Sequence, residues 1–153
     1  MGEGIRCNRV LGMPFSGRFV LGILEGSKVT TWRDRTRADV GALLWVRETY
    51  TRLPGGQVLY RADQHLEDPQ LRWRPSIHLP RKLARIWLEV TGRELRWRSQ
   101  ATAADAAEAG FPDLASFLAY PMPELCCVLR FQRCEPPPVR QLSFPFPEPP
   151  GGL

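Results

Sequence analysis

The segment 23–35, ILEGSKVTTWRDR, concentrates residue types that can bind an anion or act on a substrate. Lys28, Thr31 and Arg33 follow Gly26, which is predicted to end a helix, so they fall at a helix-to-strand corner. Lys28 is expected in the turn, free to swing toward Thr31, and Thr31 and Arg33 share one strand face. The alternative is a structural corner, in which Lys28 complements the helix dipole and Thr31 is half buried. The first interpretation predicts a pocket for an anion or a base.

A second candidate group lies on the predicted strand LLWVRE. Alternation places Trp45 and Arg47 on one face, with Val46 and Glu48 on the other. Trp45 could stack on a base, worth roughly 1–3 kcal/mol per base, while Arg47 contacts a phosphate. Alternatively, Trp45 belongs to the core and Arg47 pairs with a glutamate. Both interpretations remain open from the sequence.

A third group lies in the segment WRPSIHLPR. Arg74 and Arg81 could hold phosphate, and Ser76 or His78 could touch a base edge. The alternative is an arginine-rich, solvated loop. No HxH or HExxH motif accompanies the histidines, and the four cysteines lack CxxC spacing, so no metal site is expected. Walker and dinucleotide-binding loops are also missing, and no cofactor is predicted.

The charge balance favours a polyanionic partner. Of the 153 residues, 21 are Lys or Arg and 16 are Asp or Glu, which gives a net charge of +5. Lysine occurs only at Lys28 and Lys82, so the basic excess is mostly arginine, which suits bidentate contact with phosphates. The segment MGEGIRCNRV lacks an apolar signal region, and no apolar run approaches the roughly 20 residues that span a bilayer. We expect a cytoplasmic protein with no membrane partner, and a monomer is assumed.

The periodicity predicts a mainly β fold with flanking helices, of the α+β class. A helix is predicted over 16–25, and two short helices are capped by Thr102 and Asp113. Predicted strands are VTTWR, GALLWVRET, QVLYRA, the hairpin-forming pair 85–92 and 94–98, and ELCCVLRFQR. Five to six strands with two to three short helices indicate a small β-barrel over residues 1–134. An alternating α/β fold is disfavoured because the strands of the hairpin have no helix between them. The proline-rich segment 135–153 is predicted to be a disordered tail.

Six segments in order carry a resemblance to a known family: ILEGSKVTTWR, LLWVRETY, YRAD, WRPSIHLPRKLARIWLEVTG, DAAEAGFPDLASF and VLRFQR. Over about residues 12–134 the chain resembles an ASCH-domain protein, of the variety common in phages and prophages. The resemblance implies a small barrel of the PUA-like superfamily, with a cleft at one mouth that faces nucleic acid or a nucleoside. Some members remove the acetyl group from acetylated cytidine with a Lys, a Thr and a helix Glu. Others have ribonuclease or RNA-binding roles.

The resemblance transfers to this chain only in part. Lys28 and Thr31 match the GxKxxT corner, which implies catalytic roles for both. The family's glutamate directly precedes the glycine that ends a helix, whereas here Ala109 holds that place and Glu108 lies one residue earlier. One residue turns a side chain by about 100° around a helix, so Glu108 is a provisional third catalytic residue. We therefore expect a binding module for RNA, single-stranded nucleic acid or a modified nucleoside, with hydrolysis of acetylated cytidine or of RNA as the alternative.

Overall fold

A computed structural model describes residues 9–63 and 69–138 of the chain. Seven strands and three α-helices lie within these ranges. In chain order they are β1 (Val10–Pro14), α1 (Gly17–Glu25), β2 (Thr30–Arg33), β3 (Leu43–Arg47), β4 (Tyr50–Arg52), β5 (Val58–Tyr60), β6 (Trp87–Trp97), α2 (Ala103–Glu108), α3 (Leu114–Ala119) and β7 (Leu125–Cys134). The protein is therefore mainly β and of the predicted α+β class.

Five of the strands form one sheet in the order β1-β3-β6-β7-β2. The pair β1–β3 is parallel and the other neighbours are antiparallel, while β4 and β5 form a separate two-stranded sheet. The predicted barrel is not closed by backbone hydrogen bonds, because β1 and β2 are the two edges of the sheet. A side chain bridges those edges: the Arg33 Nη2 donates to the Pro14 carbonyl oxygen at 2.8 Å. We call the gap between β1 and β2 the seam.

The predicted hairpin of 85–92 and 94–98 is wrong. Both segments belong to the single strand β6, which pairs with β7 along its whole length. The register shifts between Val90 and Gly92, so the glycine marks a bulge in a continuous strand. Strand β1 is also not predicted from the sequence, because its five residues include a glycine and a proline, which disfavour strands.

The three predicted helices are confirmed. Their ends are set by residues close to them in the sequence. Gly26 ends α1 in the left-handed conformation, with φ of 83°. Thr102 and Asp105 form a reciprocal capping box at the start of α2. Asp113 accepts the Ser116 backbone N–H at 2.7 Å at the start of α3. These caps fix where each helix begins or ends without help from distant residues.

The core lies between the five-stranded sheet and the helices. Its fully buried side chains include Val20, Ile23, Leu44, Val46, Leu88, Val90, Phe117 and Leu129. Cys126 and Cys127 are also buried, within β7. Of the predicted tail, the structure describes only residues 135–138, and within them Pro137 is buried. The described residues contain no helix long and apolar enough to cross a membrane.

Candidate functional site

A cavity of about 280 Å³ opens beside the helix-to-strand corner. We call it the Lys28 cavity. Aromatic side chains form much of its wall: Phe15, Phe19, Trp32, Phe111 and Tyr120. Polar side chains at the same cavity are Ser16, Lys28, Thr31, Arg33 and Asp34. The corner that the sequence analysis singled out therefore faces a pocket rather than open solvent.

Two glycines, Gly22 and Gly110, make room for the aliphatic part of the Lys28 side chain at the cavity wall. After Gly26 turns the chain, the backbone N–H groups of Ser27 and Lys28 both donate to the Gly22 carbonyl oxygen at 3.0 Å. A Cβ at Gly22 would lie 3.1 Å from the Lys28 Cβ. A Cβ at Gly110, where φ is 90°, would lie 3.2 Å from the Lys28 Cδ. The ends of α1 and α2 thus enclose the side chain of Lys28 from two directions.

Lys28 is a buried basic residue that has no acidic partner among the residues the structure describes. Only 4% of the residue is exposed, and its Nζ donates to the carbonyl oxygens of Thr30 at 2.7 Å and Ala109 at 2.6 Å. Nζ also lies 4.7 Å from the centre of the Phe19 ring. No carboxylate in the described ranges is within ion-pair distance of it. Burial lowers the pKa of Lys28 from 10.5 to about 7, with smaller contributions from the positive charges of Arg33 and Arg18.

This geometry gives Lys28 a contact whose character depends on protonation. An ammonium group has three hydrogens, and a neutral amine has two hydrogens and a lone pair. Two hydrogens are already donated to the carbonyl oxygens of Thr30 and Ala109. The remaining position on Nζ, beside the Cε bond and these two hydrogens, carries a third hydrogen below about pH 7 and is then a donor. Above about pH 7 it carries the lone pair, which can accept a hydrogen bond or act as a nucleophile.

Thr31 and Arg33 are coupled at the same cavity, on the shared strand face that the alternation predicts. The Arg33 Nε donates to the Thr31 Oγ1 at 2.9 Å, and the guanidinium lies 4.7 Å from the centre of the Phe15 ring. Burial lowers the pKa of Arg33 from its ordinary value. Because the hydroxyl of Thr31 accepts from Arg33, its own hydrogen remains available to a bound molecule.

Most residues of the cavity wall are not predicted from the sequence. Phe15 and Phe19 have the helical spacing typical of a core face, and Phe111 and Tyr120 each follow a short helix. Phe19 and Phe111 pack with ring centres 5.3 Å apart, and Tyr120 packs against both. The guanidinium of Arg18 lies 4.7 Å and 4.9 Å from the first two rings. Only the tertiary structure gathers these rings, since they come from three separate parts of the chain.

Glu108 does not join Lys28 and Thr31. Its side chain forms an ion pair with Arg130 and lines a second cavity of about 250 Å³. Ala109, the next residue, lines the Lys28 cavity instead and offers only its backbone oxygen. The expected difference of about 100° between neighbouring helical positions accounts for this separation. Ala109 therefore occupies the position that the resemblance assigns to the third catalytic residue.

Trp45 and Arg47 lie outside the Lys28 cavity. Trp45 is 6% exposed, and the Arg47 guanidinium lies 4.7 Å from the centre of its ring. A Cβ at Gly12, the partner of Trp45 on β1, would be 2.6 Å from the indole, so that glycine makes room for the ring. The two residues share a face, as predicted, but the tryptophan is packed inside the protein. Arg47 is not paired with Glu48, whose partner is Arg85.

The third candidate group is also separate from the Lys28 cavity. Arg74 is exposed and its backbone pairs with Tyr50, while the Tyr50 hydroxyl donates to the His78 carbonyl oxygen at 3.1 Å. Ser76 and Arg81 begin two short 3-10 turns of the same segment. None of the four predicted residues lines the cavity. Within residues 9–63 and 69–138, no three His, Cys, Asp or Glu side chains cluster in a way that could hold a metal.

Comparisons with known proteins return one solved structure. No family model matches the sequence, and no curated protein matches it. The solved structure is the ASCH domain from Lactobacillus crispatus JV V101, at 15% identity and a TM-score of 0.48, with 82% of this chain and 79% of that chain covered. This is the family that the sequence resembles. At this identity and TM-score the match carries nothing about substrate or mechanism.

Proposed function

We propose that the protein binds RNA by taking one unstacked base, or a modified nucleoside, into the Lys28 cavity. The observation that carries the proposal is the composition of the wall, in which aromatic rings surround Lys28, Thr31 and Arg33. A volume of about 280 Å³ falls just below the range of roughly 300–1,000 Å³ typical of ligand pockets, so it suits a small ligand such as one base.

Each part of the wall has a role in this proposal. An aromatic side chain stacks on a base with a gain of roughly 1–3 kcal/mol. Thr31 and Lys28 supply hydrogen-bonding groups for the base edge, which is accessible only when the base leaves a helix. The net charge of +5 adds a general attraction for the phosphates. Single-stranded RNA, or a loop, is therefore the expected form of the partner.

The proposal is tested by titrating a fluorescein-labelled single-stranded RNA of eight nucleotides, with single-stranded DNA and free cytidine as comparisons, at two salt concentrations. Tyr120, which is 40% exposed and lines the cavity, is replaced by alanine. We expect the RNA affinity to fall about tenfold without a change in salt dependence, because a lost stacking contact of roughly 1–3 kcal/mol releases no ions.

Trp97→Ala is the matched control, since Trp97 is an exposed aromatic residue outside the cavity and is 50% accessible. It should change the affinity less than twofold. Equal losses in the two variants would contradict a role for the cavity. Failure of the wild-type protein to bind any of the nucleic acids or the nucleoside would contradict the whole proposal.

Hydrolysis of acetylated cytidine is the second candidate function, favoured by one observation. Lys28, with a pKa of about 7, lines the same cavity as the Thr31 hydroxyl, so a neutral amine could act as a base beside a hydroxyl nucleophile. Hydrolysis of RNA would draw on the same two groups. If wild-type protein releases acetate from acetylated cytidine, Lys28→Met and Thr31→Val should each abolish the release. Retained activity in Lys28→Met would contradict this mechanism.

A further inference from the structure

The seam between β1 and β2 contains a basic groove. Its volume is about 240 Å³. Its lining residues come from the edge strand β1 and from the segment that follows β2: Leu11, Gly12, Met13, Pro14, Arg33, Arg35, Thr36 and Arg37. Three of these described residues are arginines and none is acidic. The nearby carboxylate of Asp34 belongs to the wall of the Lys28 cavity.

The segment that carries the arginines is held in place by the fold. The Thr36 Oγ1 accepts the Ala38 backbone N–H at 3.0 Å, and Ala38 is fully buried. Arg93 Nη1, from β6, donates to the Thr36 carbonyl oxygen at 3.1 Å and also to that of Ala38. The backbone is therefore anchored while the side chains of Arg35 and Arg37 stay exposed.

Arg35 and Arg37 make no ion pair with any carboxylate in the described ranges. Arg93 and Arg130, by contrast, line the cavity that also contains acidic side chains, where Arg130 is paired with Glu108. Two exposed guanidinium groups beside the partly buried Arg33 give the groove a positive electrostatic potential.

The groove adjoins the Lys28 cavity. Pro14 and Arg33 line both spaces, so they form a shared wall. We propose that the groove binds the phosphodiester backbone next to the base that enters the Lys28 cavity. This inference rests on the proposed function and adds the path that the RNA strand takes across the protein surface. The planar guanidinium groups of arginine match phosphate oxygens in a bidentate manner.

Backbone geometry favours phosphate over a peptide that would add a strand to the sheet edge. The Leu43 backbone N–H donates to the Arg9 carbonyl oxygen, and the Phe15 N–H donates to the Arg47 carbonyl oxygen, so the backbone N–H and C=O groups of odd-numbered residues along β1 point toward β3. The backbone N–H and C=O groups of the even-numbered residues point toward the seam. Among these, Pro14 has no N–H and its carbonyl oxygen already accepts from Arg33. An added peptide strand would find few main-chain partners there.

The test replaces both exposed arginines, in the double variant Arg35→Gln/Arg37→Gln. The matched control is Arg52→Gln/Arg133→Gln, which removes the same charge from exposed positions outside the groove. The probe is the labelled eight-nucleotide RNA at several salt concentrations. We expect the groove variant to bind about tenfold or more weakly, with a log–log salt slope reduced by about 1.4, because each lost phosphate contact on a single strand changes it by about 0.7.

Tyr120→Ala, measured in parallel, distinguishes the groove from the cavity. Loss of affinity with an unchanged slope in Tyr120→Ala, together with a reduced slope in the groove variant, supports both proposals. An unaffected Tyr120→Ala with a reduced slope in the groove variant supports the groove and overturns the base cavity. Equal losses of affinity in the groove and control variants would overturn the proposal for the groove alone. Displacement of the RNA by a glutamate-rich decapeptide at equal concentration would overturn it as well. A wild-type protein that binds no RNA overturns both.

Discussion

Lys28 and Glu48 are both buried ionisable residues, with 4% and 1% exposed, yet their surroundings are opposite in kind. Both carboxylate oxygens of Glu48 accept hydrogen bonds from Arg85, at 2.8 and 2.9 Å. Arg85 also contacts Asp63 at 2.7 Å, and these bonds raise the pKa of Arg85 against the opposing effect of its burial. Lys28 has two backbone oxygens and aromatic rings around it instead.

The charge of Glu48 is bound by Arg85 and stabilises the fold, whereas the amine of Lys28, which donates to backbone oxygens at a cavity wall, is open to a ligand. Glu48 follows β3 and Arg85 precedes β6, so their pairing ties together the ends of two neighbouring strands. The fall in the pKa of Lys28 from 10.5 to about 7 corresponds to about 5 kcal/mol of unfavourable interaction for the charged form. A destabilised charge at a cavity wall is typical of functional sites. The comparison therefore favours Lys28, rather than Glu48, as the charged residue available to a ligand of the proposed site.

The largest expected effect is the loss of the structural pair. Arg85→Met should leave Glu48 buried without its partner and lower the free energy of unfolding by about 3–5 kcal/mol. Urea denaturation at neutral pH measures this change. Arg52→Met, at an exposed arginine, is the control and should lower it by less than about 0.5 kcal/mol. A loss below 1 kcal/mol in Arg85→Met would show that Glu48 does not depend on this pair.

The next effect is a pH dependence of stability that comes from Lys28. Folded Lys28 loses its proton near pH 7 and the unfolded residue near pH 10.5, so between these values the unfolded chain binds more protons. The free energy of unfolding therefore rises with pH in this window. Relative to Lys28→Met, the wild type should gain about 2 kcal/mol between pH 7.5 and 9.5.

The chain has only two lysines, so the other one supplies the control. Lys82→Met, at an exposed residue, should track the wild-type protein at both pH values in urea denaturation. If Lys28→Met also tracks the wild type, Lys28 is not an unpaired buried amine and the contrast with Glu48 disappears.

The smallest effect comes from placing a carboxyl group near Lys28, which has no acidic partner within residues 9–63 and 69–138. Ala109→Glu introduces a carboxyl group at a residue that lines the Lys28 cavity. An ion pair there should raise the pKa of Lys28, so the gain in stability between pH 7.5 and 9.5 should shrink to about 1 kcal/mol or less. Glu108→Ala changes a carboxylate of the other cavity and should leave that gain intact. A full gain in Ala109→Glu would mean that position 109 does not reach the amine.

The predictions of helix ends depended on local rules, and they are confirmed. Gly26, Thr102 and Asp113 define helix ends through bonds to residues close in the sequence. The place of Lys28 just after a helix-ending glycine is also a local feature, and the residue lines a cavity there; its role in that cavity stays a prediction. The predicted route of β6 was wrong, since its continuity depends on pairing with the distant strand β7, from Trp97 with Leu125 to Trp87 with Cys134.

The sequence by itself determined the residue types, the helix ends, the strand alternation and the excess of arginine. The tertiary structure decided which side chains share a cavity. It placed Ala109 beside Lys28 and turned Glu108 toward Arg130, and it buried Trp45 against Gly12. It also left β1 and β2 without backbone pairing to each other, so that arginines of the segment after β2 line a groove along the edge of β1. Local bonds act within a few residues, whereas burial and pairing depend on distant segments that meet only when the chain folds.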